Sequence, residues 1–300
     1  MSKDLLKLSP LEFIQYLKSE SITRFHFVYD DKLKAVFPSH PQLQTIAEFM
    51  TNDNRDFMAH EGAFFQITKY YDILQGAFVH RTNRGQAAGG VRYWHYQSME
   101  NYLRDGLRLA KGMTRKNALA GLWWGGGKGV IAKGSSVNKN DPQSRKIIYG
   151  NFGKFITSLN GCYVTAEDVG TNVTDMANIF SKTRFTTCIP ETLGGSGNPS
   201  VPTARGVVAG MEAAIDFLGE GDLEGKSIAI QGMGNVAEPL IGFLFDKKAA
   251  KIYAADIFED VVQQVKSKFT KENLIARVVE PGNNWIFEQP CDLFATCVTG

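Results

Sequence analysis

Cysteine is scarce and unpatterned: the four in 300 residues, Cys162, Cys188, Cys291 and Cys297, form no C-x-x-C pair. A chain of this size buries enough apolar surface to stand without disulfides, so no disulfide framework is expected. The five histidines, His26, His40, His60, His80 and His95, show no H-x-x-x-H or Cys–His ligand spacing, and no metal site is expected. Apolar runs of membrane-spanning length are missing, and charges interrupt the first twenty residues, MSKDLLKLSPLEFIQYLKSE, so no secretory apolar core is present there. Neither sign of charge prevails: 33 Lys plus Arg against 31 Asp plus Glu leave a formal charge of +2. That excludes the basic field of a nucleic-acid binder and an acidic tail. These absences predict a cytoplasmic protein with reduced thiols, neither exported nor membrane-embedded, whose partners occupy specific pockets.

What is present describes a globular chain, with 43% hydrophobic and 21% charged side chains, long enough for two domains. Ser9-Pro10-Leu11-Glu12 has the form of a capping box, and Leu11, Ile14 and Leu17 follow at helical spacing. Residues 62–69 and 74–81 read as neighbouring strands. From Met99 the apolar positions Tyr102, Leu103, Leu107, Ala110 and Met113 define one buried helix face, with Lys111-Gly112 marking the close. GVIAK after residue 127, a helix over 143–159, the strand CYVTA and a helix near 173–181 alternate as in a parallel α/β sheet. The Gly/Pro/Ser/Thr-rich stretch 186–202 is the expected domain boundary. Beyond it, helix 203–218, strand 226–231, helix 235–247, strand 251–255, helix 259–269 and strands near 276–279 and 292–296 follow the order of a nucleotide-binding βαβ sheet.

Gly232-Met233-Gly234-Asn235-Val236-Ala237 is a G-x-G-x-x-A between an apolar strand and a helical pattern. Its first glycine permits a tight turn, its second lets the backbone approach a pyrophosphate, and Ala237 lets helix pack on strand. The helix N-terminus adds free N–H groups and partial positive charge. Asp256 ends the next strand, where a carboxylate can accept hydrogen bonds from an adenosine ribose and would repel a 2′-phosphate, favouring NAD over NADP. Pro239 is compatible only with a helix that has barely begun. LWWGGGKG and GDLEGKS are not phosphate loops: the first has Leu122 in place of the leading glycine and Gly129 in place of the hydroxyl, and the second has Glu220 as its leading residue and precedes a strand.

Lys116 falls in the helical segment KNALAGL, and Lys128 follows Gly125-Gly126-Gly127 at the entry to an apolar strand. Three glycines imply a close approach. Walled by Trp123, Trp124, Val130 and Ile131 and near another cation, such a lysine would favour the neutral amine, which can act as a base or activate water. Glu167 and Asp168 lie at the carboxyl end of a strand, a ligand-contacting place in α/β sheets, and position alone does not choose between them.

These residues resemble the amino-acid dehydrogenases acting on glutamate, leucine, valine and phenylalanine, most closely the leucine and valine branch. The resemblance rests on AAGGVRYW (87–94), LRLAKGMTRKNALAGLWWGGGKGVI (107–131), LNGCYVTAEDVGT (159–171), GGSGNPSVPTARGV (194–207), the QGMGNVA turn and CDLFATCVTG (291–300). It covers roughly residues 60–300, and the twelve-residue spacing from Lys116 to Lys128 with the later E-D-V-G-T is specific. It implies an α/β fold of two domains: a substrate-binding and oligomerisation domain over 1–200, then a Rossmann-type NAD-binding domain over 201–300 that is C-terminally incomplete. Family members continue past the position of Gly300 with an asparagine, further strands and a returning helix. The implied activity is NAD-dependent oxidative deamination in a cleft between the domains of a homo-oligomer. Residue by residue, Lys116 would bind the α-carboxylate, Lys128 activate water and Asp168 exchange a proton with the amino group. Gly89 and Gly90 would border the substrate, and Thr203 approach the nicotinamide.

Glutamate-specific members have a lysine before the Gly-Gly pair, whereas this chain has Ala88. A distal carboxylate would be buried unpaired, so the expected pocket is apolar, lined by Ala88 and Ala166, for leucine, valine or isoleucine first and phenylalanine second. Trp123 and Trp124, bulkier than expected before the glycine run, would narrow that pocket or fill the core. A catalytically silent nucleotide-binding or oligomer-interaction relative is the alternative. A hydroxy-acid dehydrogenase usually needs an imidazole, and no histidine lies in the matching segments.

Overall fold

The computed structural model describes residues 4–134 and 141–298; Thr299 and Gly300, the end of the CDLFATCVTG segment, lie outside them. The chain divides into two compact units at Asn198–Pro199.

In the first unit the elements run α1 (Pro10–Ser19), β1 (Arg24–Asp30), β2 (Ala35–Pro38), α2 (Gln44–Asn52), β3 (Gly62–Ile67), β4 (Leu74–Arg81), β5 (Ala87–Trp94), α3 (Met99–Leu119), β6 (Gly125–Ala132), α4 (Pro142–Thr157), β7 (Tyr163–Glu167) and α5 (Val173–Phe180). The Ser9–Glu12 capping box forms as its spacing predicts, with both reciprocal hydrogen bonds present. Seven strands make one sheet in the order β2-β1-β3-β4-β6-β5-β7. Pairing is antiparallel from β2 through to β6, while β6, β5 and β7 run parallel.

One face of the sheet is sealed by α1, α2 and α3 around Phe27, Phe65 and Phe78, with Phe25 stacked on Phe65 at 4.7 Å. Each such ring contributes about 1.5–3 kcal/mol on burial. The other face packs α4 and α5 through Tyr149, Phe152, Phe155, Met176 and Ile179.

Helix α3 does not close at Lys111-Gly112 but runs on to Leu119. A lone exposed glycine costs a helix only about 1 kcal/mol, and tertiary contacts beyond it outweigh that cost. Thr114 Oγ1 lies 2.7 Å from His80 Nδ1, and the Asn117 amide donates to Gly125 O at 2.6 Å and Ala88 O at 3.4 Å.

His60 and His80 lie edge to face at 4.6 Å. Met58 N–H donates to His60 Nδ1 at 3.2 Å, and His80 Nε2 lies 3.1 Å from the Met58 carbonyl. Burial, with each ring's cationic neighbours, holds His60 at about 3 and His80 at about 4, below the ordinary 6.5. The unfolded chain binds protons here that the folded chain refuses. The resulting stability is full above pH 6.5 and is lost as pH falls through about 4 and about 3. Urea unfolding is therefore expected to shift to lower denaturant near pH 4, and His80→Gln should flatten that fall; an unchanged slope would show the pair to be uninvolved.

The second unit runs α6 (Ser200–Leu218), β8 (Ser227–Gln231), α7 (Ala237–Asp246), β9 (Lys251–Asp256), α8 (Glu259–Lys268), β10 (Leu274–Val278) and β11 (Leu293–Thr296). Its four strands are all parallel in the order β10-β9-β8-β11, a βαβ arrangement centred on β8. Its own core gathers Ile228, Ile230, Leu240, Ile241 and Ile252.

Candidate active site

In a strand, alternate residues share a face, and residues paired across parallel strands point the same way. Ala88 pairs with Gly126 and with Val164, Gly90 with Ala166, and Arg92 with Val130. One face therefore carries Ala88, Gly90 and Arg92 from β5, Lys128 from β6, and Ala166 and Asp168 from β7 and the residue after it. Glu167 has the opposite parity. That alternation, available only once the strands are in register, separates the two adjacent acids.

Lys128, 4% exposed, donates from Nζ to Asp168 Oδ2 at 2.6 Å. Arg92 Nε donates to the same oxygen at 3.3 Å, and its Nη1 donates to both Asp105 oxygens at 3.0 and 3.1 Å. Burial strips water from the Lys128 ammonium and lowers its pKa; Asp168 opposes this and Arg92 reinforces it. For Asp168, burial favours the neutral acid, but Lys128 and Arg92 outweigh it and hold the carboxyl below its ordinary value. A depressed amine beside a fixed carboxylate can pass protons in either direction.

Glu167 lies in a different setting. One carboxylate oxygen is buried without a hydrogen-bond partner among the described residues, and burial, aided by Asp175, pushes the group up to about 7.

The glycine run is explained by the protein itself. A Cβ at Gly126 would collide with Thr114 and the Ala110 carbonyl of α3, one at Gly125 with the Arg81 carbonyl, and one at Gly127 with the Tyr163 ring. The expected close approach is therefore of helix, loop and ring to strand. Trp123 and Trp124 do not wall Lys128: they are 79% and 37% exposed, and Arg84 lies over the Trp123 ring at 5.4 Å. They sit in the turn before β6, whereas Lys128 is the fourth residue of that strand, and neither fills the core.

Gly89 and Gly90 are buried where the same constraint holds. A Cβ at Gly89 would strike the Gly127 carbonyl, and one at Gly90 would lie 2.7 Å from Asp168 Cβ. Ala88 is buried and Ala166 half-buried. Lys116 is exposed in the last turn of α3, beside Asn117, which clasps that turn to Ala88 and Gly125. No ion pair between its ammonium and the described residues is present, and none joins it to the Lys128–Asp168 pair.

In the second unit the glycine turn joins β8 to α7. Gly232 adopts φ +89°, and a Cβ there would press on Val298 and the Cys297 carbonyl. A Cβ at Gly234 would meet nothing within 4 Å, leaving the open space that a phosphate group requires. Asn235 is exposed, Val236 is the N-cap and Ala237 is buried at the first helical position. Pro239 falls within the first turn, where its missing N–H has no intrahelical acceptor to lose. Asp256 accepts from Met233 N–H at 2.7 Å and Phe258 N–H at 3.0 Å, so its carboxylate is fixed against this turn. Thr203, on α6, donates its hydroxyl to Pro199 O at 2.8 Å. The turn, the open approach and the placed carboxylate together fit a dinucleotide.

Family models match segments of both units. That for the Glu/Leu/Phe/Val dehydrogenase dimerisation domain matches residues 68–185, and that for the Glutamate/Leucine/Phenylalanine/Valine dehydrogenases matches 194–282. The chain belongs to this family. Within the family, the chain is 46% identical to the leucine dehydrogenase of Geobacillus stearothermophilus over 74% of its own length and 57% of the relative's. It is 37% identical to the phenylalanine dehydrogenase of Lysinibacillus sphaericus over 74% and 56%. It thus spans somewhat over half the length of these dehydrogenases. Among solved structures, L-tryptophan dehydrogenase from Nostoc punctiforme matches with a TM-score of 0.55 at 30% identity, over 79% of this chain and 64% of that one. The hetero-hexameric glutamate dehydrogenase of Thermus thermophilus shares the fold, with a TM-score of 0.59 at 21% identity over 79% and 57%.

Residue reading missed Arg92, Asp105, Tyr96 and Asn117. AAGGVRYW, which forms β5, carries two alanines and two glycines and so lacks a strand-like composition. Recognised as a strand, it would have placed Arg92 on the face of Gly90.

Proposed function

We propose that this family member carries out NAD-dependent oxidative deamination of an apolar L-amino acid, leucine, valine or isoleucine first, to the 2-oxo acid and ammonia. The observation that carries the reading is the 2.6 Å contact of a nearly water-free Lys128 with Asp168, on a face shared with Gly90, Ala88 and Ala166. Lys116 supplies the cation for the α-carboxylate, and Gly89 and Gly90 border the substrate. Lys128 takes the proton of the water that attacks the imine carbon. Asp168 accepts and returns the proton of the amino group. When bound, the nicotinamide accepts a hydride from the substrate α-carbon. Gly232, Gly234, Asn235, Val236 and Ala237 would hold its pyrophosphate, Asp256 the adenosine ribose, and Thr203 would lie toward the nicotinamide.

Asp256 supports NAD over NADP, because a 2′-phosphate would meet its carboxylate. Ala88 supports aliphatic substrates over glutamate, because it offers no cation to a distal carboxylate. The higher identity to a leucine than to a phenylalanine dehydrogenase supports the same order. We place the protein in the cytoplasm, where its four unpaired cysteines would stay reduced, and assign homo-oligomer formation to the first unit. No helix among the described residues is long and apolar enough to cross a membrane.

The test is NADH formation at alkaline pH with a panel of amino acids. Leucine, valine or isoleucine should exceed glutamate at least ~100-fold in kcat/KM, given the cost of an unpaired buried carboxylate, with NAD preferred to NADP. Glutamate as the better substrate, or NAD binding with no turnover of any amino acid, would overturn the reading; the second outcome would mark a silent scaffold.

A further inference from the structure

Arg92 has no part in the reading above, yet it ties the Lys128–Asp168 pair to the rest of the first unit. Its far end is anchored. Asp105, buried on α3, accepts not only from Arg92 Nη1 but also from the Tyr96 hydroxyl at 2.7 Å and Arg108 Nη2 at 3.1 Å. At its near end, Arg92 Nε and Lys128 Nζ converge on the same oxygen of Asp168, Oδ2, at 3.3 and 2.6 Å. Among the described residues neither cation hydrogen-bonds Oδ1, and the Val169 backbone N–H also favours the carboxylate form.

We propose that Arg92 is a positioning residue: held by Asp105 and Tyr96, it fixes the Asp168 carboxylate so that Oδ2 keeps Lys128 and Oδ1 is turned to the substrate amine. The proposal rests on the roles given above to Lys128 and Asp168. A lysine ammonium is a point charge on a flexible stem and can approach either carboxylate oxygen, whereas the planar guanidinium of Arg92, its Nη1 fixed on both Asp105 oxygens, offers Nε to Oδ2 from one direction. Arg92 also sets the charge balance. Cation and anion alternate along Lys128, Asp168, Arg92 and Asp105, so removing Arg92 leaves Asp168 to Lys128 alone and favours its ammonium form. The charged groups that act on Lys128 are Asp168 beyond β7, Arg92 from β5 and Asp105 from α3.

Competitive acetylation with acetic anhydride across the alkaline range, read at the Lys128 peptide by mass spectrometry, measures the neutral fraction of this amine without requiring turnover. In Arg92→Met the Lys128 midpoint is expected to move up. Its kcat should fall about 100-fold, as for a misplaced catalytic group, with KM changing less than about threefold. Arg92→Lys, which keeps the charge without the fork, should return the midpoint toward wild type and recover only part of kcat. Should Arg92→Met not fold, Tyr96→Phe keeps the ring, removes the bond to Asp105 and should shift both readouts the same way by less. An unchanged Lys128 midpoint in a folded variant overturns the proposal. A shifted midpoint in a protein that turns over no amino acid supports the positioning and overturns only the assigned reaction.

Discussion

Lys128→Ala should lower leucine-dependent NADH formation by about 10³-fold while NAD binding stays intact. The size follows from the loss of a positioned proton acceptor, which is worth about 10²–10⁴ in rate. The fold should survive, because Asp168 keeps Arg92 at 3.3 Å and is not left as an uncompensated buried charge. The lost amine leaves a small void beside Gly90, and a small primary amine added to the buffer should restore part of kcat in Lys128→Ala but not in wild type. Activity retained to within about tenfold would remove Lys128 from the proton-transfer step. Wild-type turnover is expected to rise at lower pH than an ordinary lysine would allow, because burial lowers the Lys128 pKa.

The second large effect separates two glycines two residues apart. Gly234→Ala is expected to unfold at the wild-type temperature and to lose NAD binding by about 100-fold or more. Its Cβ would meet no protein atom within 4 Å, so the fold has no reason to respond, and the methyl group would stand where the pyrophosphate must approach. Gly232→Ala should behave in the opposite manner. At φ +89° and against the Cys297 carbonyl, the added methyl strains the turn itself, with an expected loss of about 1–3 kcal/mol of stability in addition to weaker binding. Calorimetric NAD titration and thermal melts of both variants distinguish the cases. Equal loss of stability in the two would show that Gly234 serves packing and not a ligand.

The second unit was the more legible. Strand, glycine turn, helix and terminal aspartate are local signals, and each element fell within a few residues of where its period and breakers put it. The first unit was less so. Residues 24–30 form a strand whose meaning lies in pairing with 62–66 far along the chain, as Phe25 opposite Phe65 shows, and the hairpin strand 35–38 depends on that strand in turn. The α3 helix read as two pieces because Gly112 and the polar turn around it mask a segment held by the tertiary hydrogen bonds of Thr114 and Asn117. In the candidate site, Lys128 and Asp168 stood out through their neighbours in sequence. Arg92 and Asp105 did not, because a hydrogen-bond relay joining β5, α3 and β7 leaves no spacing to detect. Trp123 and Trp124 differ from expectation for a related reason: adjacency in sequence suggests a wall, but both are exposed in the turn before β6 while Lys128 is buried within the strand.

Whether Lys128 activates the attacking water is decided by measuring ammonia and NADH together from leucine, for wild type and Lys128→Ala side by side. Equal amounts of both products are expected from wild type and neither, above background, from the variant. NADH produced without ammonia, or a variant as active as wild type, would contradict it.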